Sequence, residues 1–494
     1  MEFSSLFFIS CLLPLIVLCY YLIPDVGRRN IFLLAVSFLM FGMCQPVYIP
    51  LLVILSQVTF RMGQKVRKGR RGTVCLPVAV NLAALLLLKY ADSMLVQLGA
   101  FAEKGGLFLG LVRGLVEWLN SLGMTLRLPD TLAPLGFSFF VVSSVSYLLD
   151  VYRGKCAPEK CYRDFLLYLM FFPKFFQGPL VRYGEMRVQI RERRDNFRRV
   201  FDGILRFVTG LGKKVLLADY CGRIIAEMAV SKSDQALVGS WLGAVLFLLQ
   251  IYYDFSGCCD MAVGLGKIFG FRLPENFKRP YLAMSVTEFW ERWNVTLRAF
   301  FVDNVYDPLR NGREGSLNRF FALLLSVLMY SLWHGATFNF LIFGLYFVVI
   351  LLVEHKFEDL INDLPYWLRH ALTILCLMFG WVIFANRDIG SLANTIKAMI
   401  GEGGFSIAGD GARVAGSIPL IAVCWVGVTS IPGQVRRFWR GLCGVGVKQN
   451  HKDQKSIMEI VYLVSCFGYI LLILWLCVIS RVGSPVQPSI FMNL

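Results

Sequence analysis

Charge is what this 494-residue chain has least of: Asp, Glu, Lys and Arg make up 17% of it, against roughly 25% in soluble domains. That scarcity excludes a string of soluble domains, and it excludes intrinsic disorder, which needs high charge and few apolar residues. Nucleotide signatures are missing as well. The glycine-rich stretch Gly401 to Gly411 lacks the Gly-Lys-Ser/Thr ending that wraps a phosphate, and Gly264, Gly266 and Gly270 miss the dinucleotide spacing, so nothing suggests an ATP-driven pump. No G-x-S-x-G elbow offers a serine nucleophile. The 14 cysteines are scattered through apolar runs and read as packing residues rather than a disulfide framework. Cys156 and Cys161 flank a polar loop and Cys258 and Cys259 are adjacent, but His451 stands far from both pairs, so no zinc set emerges.

What the chain does have is apolar sequence: 56% of it is hydrophobic. It is arranged in runs from Leu6 to Ile23, Ile31 to Phe60, Val74 to Leu88, Leu132 to Leu149, Phe165 to Val181, Leu237 to Tyr253, Phe320 to Val353, Ala371 to Ala385, Val414 to Ile431 and Ile457 to Ser480. Roughly 20 apolar residues span a bilayer as a helix. The expected fold class is therefore an all-α, multi-pass membrane protein with about 11 to 13 membrane segments, some of them re-entrant. The runs starting at Ile31 and Phe320 are long enough to fold as pairs, broken at Pro46 and Pro50 and near Gly335. The first run lacks a basic start and a small-residue cleavage site, so it is expected to stay attached. We expect a single membrane-embedded domain over 1–494, with N-terminal helices in 1–130, a core in 131–355 and C-terminal helices in 356–494.

Basic residues orient the chain. Fifty Lys and Arg against 33 Asp and Glu leave a net charge of +17. In a soluble chain that would hint at nucleic acid; here it reflects the collection of Lys and Arg in cytoplasmic loops. Arg61 to Arg71, the seven arginines of Arg182 to Arg199, and Arg436, Arg437 and Arg440 mark such loops; Arg28 and Arg29 share that side if the run from Ile31 to Phe60 is a hairpin, which puts the N-terminus outside.

Of four histidines, His355, His370 and His451 stand beside charges at the ends of apolar runs, where interfacial solvation explains them. His334 does not: no charged residue lies between Arg319 and Glu354. An ionisable group that deep is costly unless it faces a cavity or a partner, which leaves two readings, a functional histidine or a hydrogen-bonded structural one. A neutral imidazole suits removal of a hydroxyl proton as an acyl group arrives, and without a serine or cysteine motif direct transfer is favoured over an acyl-enzyme. Upstream, Tyr252 to Leu309 mixes Asp254, Ser256, Asp260, Glu288, Glu291, Arg292, Asn294 and Asp303 with Phe289, Trp290 and Trp293. This suits short amphipathic helices lining a cavity; a solvated face with an interfacial tryptophan belt is the alternative.

These residues resemble the membrane-bound O-acyltransferase family, most closely its bacterial branch that acts in polysaccharide acetylation and teichoic-acid D-alanylation. The resemblance runs through LGFSFFVVSSVSYLLDVYRG from Leu135, FFPKFFQGPLVRYGEM from Phe171, GLGKKVLLADY from Gly210, the central block, WHGATFNF from Trp333 and GWVIFANRD from Gly380. It implies a multi-helix fold around a funnel or tunnel. His334, preceded by Trp333, matches the family's catalytic histidine. Asn294 stands in the FWxRWx motif where bacterial polysaccharide members usually carry histidine; asparagine is no base, but it can hold a carbonyl or the acceptor hydroxyl by hydrogen bonds. Lys174 replaces a frequent histidine, and Val302 precedes Asp303 where an Arg-Asp pair is common.

The resulting expectation is a bacterial cytoplasmic-membrane acyltransferase with His334 as base or proton relay and Asn294 as orienting group. Asp254, Ser256, Asp260, Trp290, Trp293, Asp303 and Trp333 would shape the cavity. No bound cofactor or metal is expected; the co-substrate would be an acyl-thioester, acetyl-CoA or an acyl carrier protein. Partners would be membrane lipid, the donor, an extracytoplasmic serine acyltransferase and the polysaccharide synthesis machinery, with no nucleic acid. D-alanyl transfer to teichoic acid is the alternative within the class, and a transporter or flippase the alternative outside it, although no internal repeat supports the latter.

Overall fold

The structure, a computed structural model, describes residues 3–90, 107–121, 134–175, 177–193, 196–231, 235–310, 315–386, 388–405, 411–443, 452–482 and 490. Arg194, His451 and residues 406–410 of the glycine-rich stretch, all considered above, lie outside them. Every regular element among the described residues is helical. Ten helices position the site: α1 (Arg71–Leu85, continued by a wide turn Leu86–Tyr90), α2 (Phe137–Tyr152), α3 (Phe197–Gly212, continued by a wide turn Lys213–Ala218), α4 (Leu237–Ile268), α5 (Val286–Arg292), α6 (Val295–Phe301), α7 (Ser316–His334), α8 (Phe338–Lys356), α9 (Tyr366–Ala385) and α10 (Lys452–Val482).

Six helices among the described residues are long and apolar enough to cross a membrane, seven if the pair Val414–Val428 and Ile431–Leu442, bent by 62°, is one span. Shorter apolar helices, Phe8–Leu22 and Phe137–Tyr152, accompany these, because apolar runs do not all become full spans. The run from Phe165 divides at Met170 into a nine-residue helix and a single turn, and α2 is only 16 residues long. The long runs break where expected: Pro46 starts a short turn ahead of Ile49–Gly63, and Gly335 separates α7 from α8.

The centre is held by α3 and α4, whose backbones touch. A Cβ on Gly210 would lie 2.6 Å from the Gly257 carbonyl, so only glycine permits this approach, a membrane packing device that substitutes van der Waals contact for a hydrophobic driving force. Closeness brings opposite charges together. Lys213 Nζ lies 2.7 Å from Asp260 and Lys214 Nζ 2.8 Å from Asp254. Each pair continues outward, through Arg206 to Glu275 in one case and through Asp219 to Arg481 of α10 in the other. Buried charges are tolerated when fully paired in this manner.

A second anchor lies in the loop after α2. The Glu159 carboxylate, fully buried, accepts hydrogen bonds from Tyr183 Oη, from the backbone N–H of Lys160 and Cys161 (both 2.8 Å) and from Arg191 (2.9 Å), with Arg187 at 3.2 Å. Burial alone would raise its pKa, but the bonds from Tyr183, the two backbone amides and Arg191 outweigh it and hold the carboxyl below its ordinary range.

Candidate active site

The break after α7 makes the site. Gly335 is extended (φ −179°), and a Cβ there would fall 2.5 Å from the Phe340 ring, so the chain turns tightly out of α7 with His334 as its last helical residue. His334 is 5% exposed and lies among the rings of Trp333, Tyr330, Phe384 and Phe340, at centroid distances of 5.0, 5.5, 5.4 and 6.2 Å. A helix that ends inside the membrane leaves carbonyls without intrahelical partners. They are capped from α1's extension: Lys89 Nζ donates to the Trp333 carbonyl (2.8 Å) and to Ser138 Oγ (3.2 Å), and Tyr90 Oη donates to the Leu332 carbonyl (2.8 Å).

Asn294 reaches this point from the joint between α5 and α6. α5 starts with a capping arrangement, Ser285 Oγ accepting from Glu288 N–H (3.0 Å). It stops at Arg292 because Trp293 is extended and Asn294 takes the left-handed conformation (φ 44°, ψ 49°), which asparagine tolerates better than most residues. The direction of the hydrogen bonds here follows from one group that can only donate. The backbone N–H of Thr296 donates to Asn276 Oδ1 (3.1 Å), so the other side of the Asn276 amide is its NH2, which donates to Asn294 Oδ1 (3.0 Å). Asn294 therefore presents its own NH2 to Tyr330 Oη (3.3 Å). Tyr330 and His334 share one face of α7, a turn apart.

A cavity of about 640 Å³ lies against this chain, with Trp290 and Tyr330 in its wall beside Phe343 and Phe347. Its rim carries Arg298, Arg310, Arg319 and Arg369 with Glu354 and Glu358. Arg298 pairs with Glu291 (3.4 Å) and Arg319 donates to His355 (2.5 Å), whereas Arg310 and Arg369 make no ion pair among the described residues. The rim belongs to the ends of α7, α8 and α9 that lie on the side of the arginine-rich segment 182–199. α4 fixes this: its start bonds Gly404, beyond the far end of α9, while Arg272, just past its end, bonds Gln189.

The structure brings His334, Trp333, Tyr330, Asn294 and Trp290 together. It places other expected residues elsewhere. Asp254 and Asp260 do not line this cavity; they belong to the α3–α4 ion pairs, because Lys213 and Lys214 stand directly opposite them. Ser256 is buried in α4, its hydroxyl without a hydrogen-bond partner among the described residues. Trp293 packs with Phe277, Phe289 and Trp381 at 5.0 to 5.4 Å, supporting the Asn294 backbone through an aromatic cluster. Asp303 pairs with Arg182, which lines a second cavity of about 340 Å³ together with Thr296 and Asp150. Lys174 is buried over the Tyr168 ring, 3.9 Å from its centroid. Among the described residues, no three His, Cys, Asp or Glu side chains converge in a metal-binding group. Lys89, Asn276 and Tyr330 do not stand out in the sequence; the spacing of Tyr330 four residues before His334 is the one signal available.

Comparison with known proteins points to one family. The profile of the membrane-bound O-acyltransferase family matches residues 162–386. The chain is 32% identical to the "Probable alginate O-acetylase AlgI" of Pseudomonas putida over 83% of this chain and 82% of that one. It is 27% identical to the "Peptidoglycan O-acetyltransferase" of Helicobacter pylori, over 82% and 81%. It is 24% identical to the "Teichoic acid D-alanyltransferase" of Bacillus subtilis, over 51% and 69%.

Proposed function

The chain belongs to the membrane-bound O-acyltransferase family and is a multi-pass acyltransferase, and from that premise we propose that it moves an acetyl group from a cytoplasmic thioester to a hydroxyl of an exported cell-surface polysaccharide. The observation that carries the reading is a buried histidine whose ring lies 5.5 Å from that of Tyr330, which stands in the wall of an arginine-lined cavity. Since basic loops stay inside, the rim faces the cytoplasm of the bacterial cell, where acetyl-CoA or an acyl carrier protein is found. The phosphates of either donor meet Arg310 and Arg369, and the pantetheine arm follows the apolar wall towards Tyr330. His334 removes the proton of an acceptor hydroxyl arriving from the opposite side as that oxygen attacks the thioester carbon. A C–O bond forms, the C–S bond breaks, and the imidazolium returns its proton to the departing thiolate. The acetylated acceptor is the polysaccharide itself or a separate extracytoplasmic acyltransferase that completes the modification. Acetyl is favoured over D-alanyl because the acetylating relatives match more than four-fifths of the chain and the D-alanyltransferase about half.

The test uses purified protein in vesicles with labelled acetyl-CoA and a supplied hydroxyl acceptor. Wild type should cleave the thioester and His334→Ala should not. Equal behaviour of the two proteins, after other acyl-thioesters have also been supplied, defeats the reading and returns the cavity to a transport role.

A further inference from the structure

The hydrogen-bond direction derived above has a chemical result at Tyr330. Its oxygen accepts the Asn294 NH2, so its own proton points elsewhere, and no described residue accepts it. Tyr330 is 8% exposed and stands in the wall of the donor cavity. Beside it, with ring centroids 5.4 Å apart, is Trp290, whose indole N–H is buried and likewise has no acceptor among the described residues. Trp290 lines the same cavity. Buried donors are costly to leave unmade, and native proteins leave few of them without a purpose. Two of them, in edge contact in the wall of one cavity, with the tyrosine one helical turn before the histidine, need an oxygen to share.

We propose that the Tyr330 hydroxyl and the Trp290 indole N–H form the oxyanion-stabilising pair of the transfer reaction, receiving the thioester carbonyl oxygen as it becomes negative. This rests on acyl transfer at His334. As the acceptor oxygen bonds to the carbonyl carbon, the C=O electron pair moves onto the carbonyl oxygen, which the two donors hold. When the pair returns, the C–S bond breaks and the thiolate leaves with the proton carried by His334. No oxidant or further reactant enters. Asn294 acts through Tyr330, as a positioning residue: by filling the phenol's acceptor side it aims the phenol's proton into the cavity.

Three variants test this in the vesicle assay. Tyr330→Phe keeps the ring against His334 and Trp290 but removes the donor; kcat should fall about 100-fold with KM unchanged, the usual effect of deleting one oxyanion donor. Trp290→Phe should act in the same direction. Asn294→Asp reverses the hydrogen bond, because a carboxylate only accepts and draws the phenol's proton to itself, so kcat should fall although Tyr330 is intact. Introducing 3-fluorotyrosine at 330 changes donor acidity while hardly changing shape, and should shift kcat where a packing role would not. Where a variant melts early, the fluorotyrosine result decides. Wild-type kcat in both Tyr330→Phe and the fluorinated protein overturns the donor pair while leaving His334 chemistry standing. A wild type that transfers nothing removes the proposed function, and this inference with it.

Discussion

Replacing Lys89 by methionine separates two things that a buried cation can do. The ammonium group donates to the Trp333 carbonyl at 2.8 Å and to Ser138 Oγ at 3.2 Å, and so fixes the end of the helix that carries His334. Hydrogen bonds from a charged donor contribute about 1.5–3 kcal/mol each. Against them stands the desolvation of an ammonium ion, several kcal/mol even after relaxation. Methionine has a similar volume and needs no water, so the two terms nearly cancel and the net stability change is about 1 kcal/mol or less. Activity has no such compensation. With the ammonium gone, the Trp333 carbonyl keeps only the longer bond from Tyr90 Oη (3.2 Å) and gains room to move, His334 moves with it, and a displacement of about 1 Å can cost about 100-fold in rate. The expected outcome is therefore an unchanged melting temperature in detergent, an unchanged KM for acetyl-CoA and a kcat lowered about 100-fold. Tyr90→Phe, which leaves the Lys89 cap in place, should lose about 1 kcal/mol of stability and little rate. A Lys89→Met protein with wild-type kcat, or one whose activity falls only in step with unfolding, refutes the argument.

Two further outcomes concern stability. Gly210→Val places its first side-chain carbon 2.6 Å from the Gly257 carbonyl and should cost about 1–3 kcal/mol or more, seen as early melting in detergent, whereas Gly72→Ala, with nothing within 4 Å, should be silent. The second outcome depends on pH. Because Glu159 is held below its ordinary value of 4.5, its contribution is fully present above that value and is lost as pH falls through it towards the lower folded value. Wild type should thus melt progressively earlier below about pH 4.5. Glu159→Gln should melt earlier at neutral pH and show a shallower acid slope; parallel acid slopes for the two proteins would exclude the clamp.

Much of the architecture could be read from the chain because membrane helices announce themselves locally, by length and by proline or glycine at their ends. The break at Gly335 and the depth of His334 follow from nothing more than the uncharged stretch around them. The short helices around Trp290 follow from mixed polarity in a window too short to span. What escaped such reading was pairing at long range. Lys89 caps a carbonyl 244 residues away, and in sequence it is merely a lysine closing an apolar run. Asp254 and Asp260 looked like cavity carboxylates because Lys213 and Lys214, some 40 residues earlier, carry no local sign that they stand opposite. Composition reports the cost of burying a charge, and only the fold reports which partner offsets it.

The one-way run of hydrogen bonds from Thr296 to Tyr330 bears on what position 294 will accept. Any occupant must take a hydrogen bond on one side and give one on the other. Asparagine does this through its oxygen and its NH2; a neutral imidazole does it through its bare and its protonated nitrogen. Asparagine and histidine are thus interchangeable relays at this joint, which removes the apparent conflict between Asn294 and the histidine usual in bacterial polysaccharide members. Aspartate, leucine and lysine each fail on one side or both. The residue family allowed at 294 is set by hydrogen-bond polarity rather than by proton affinity.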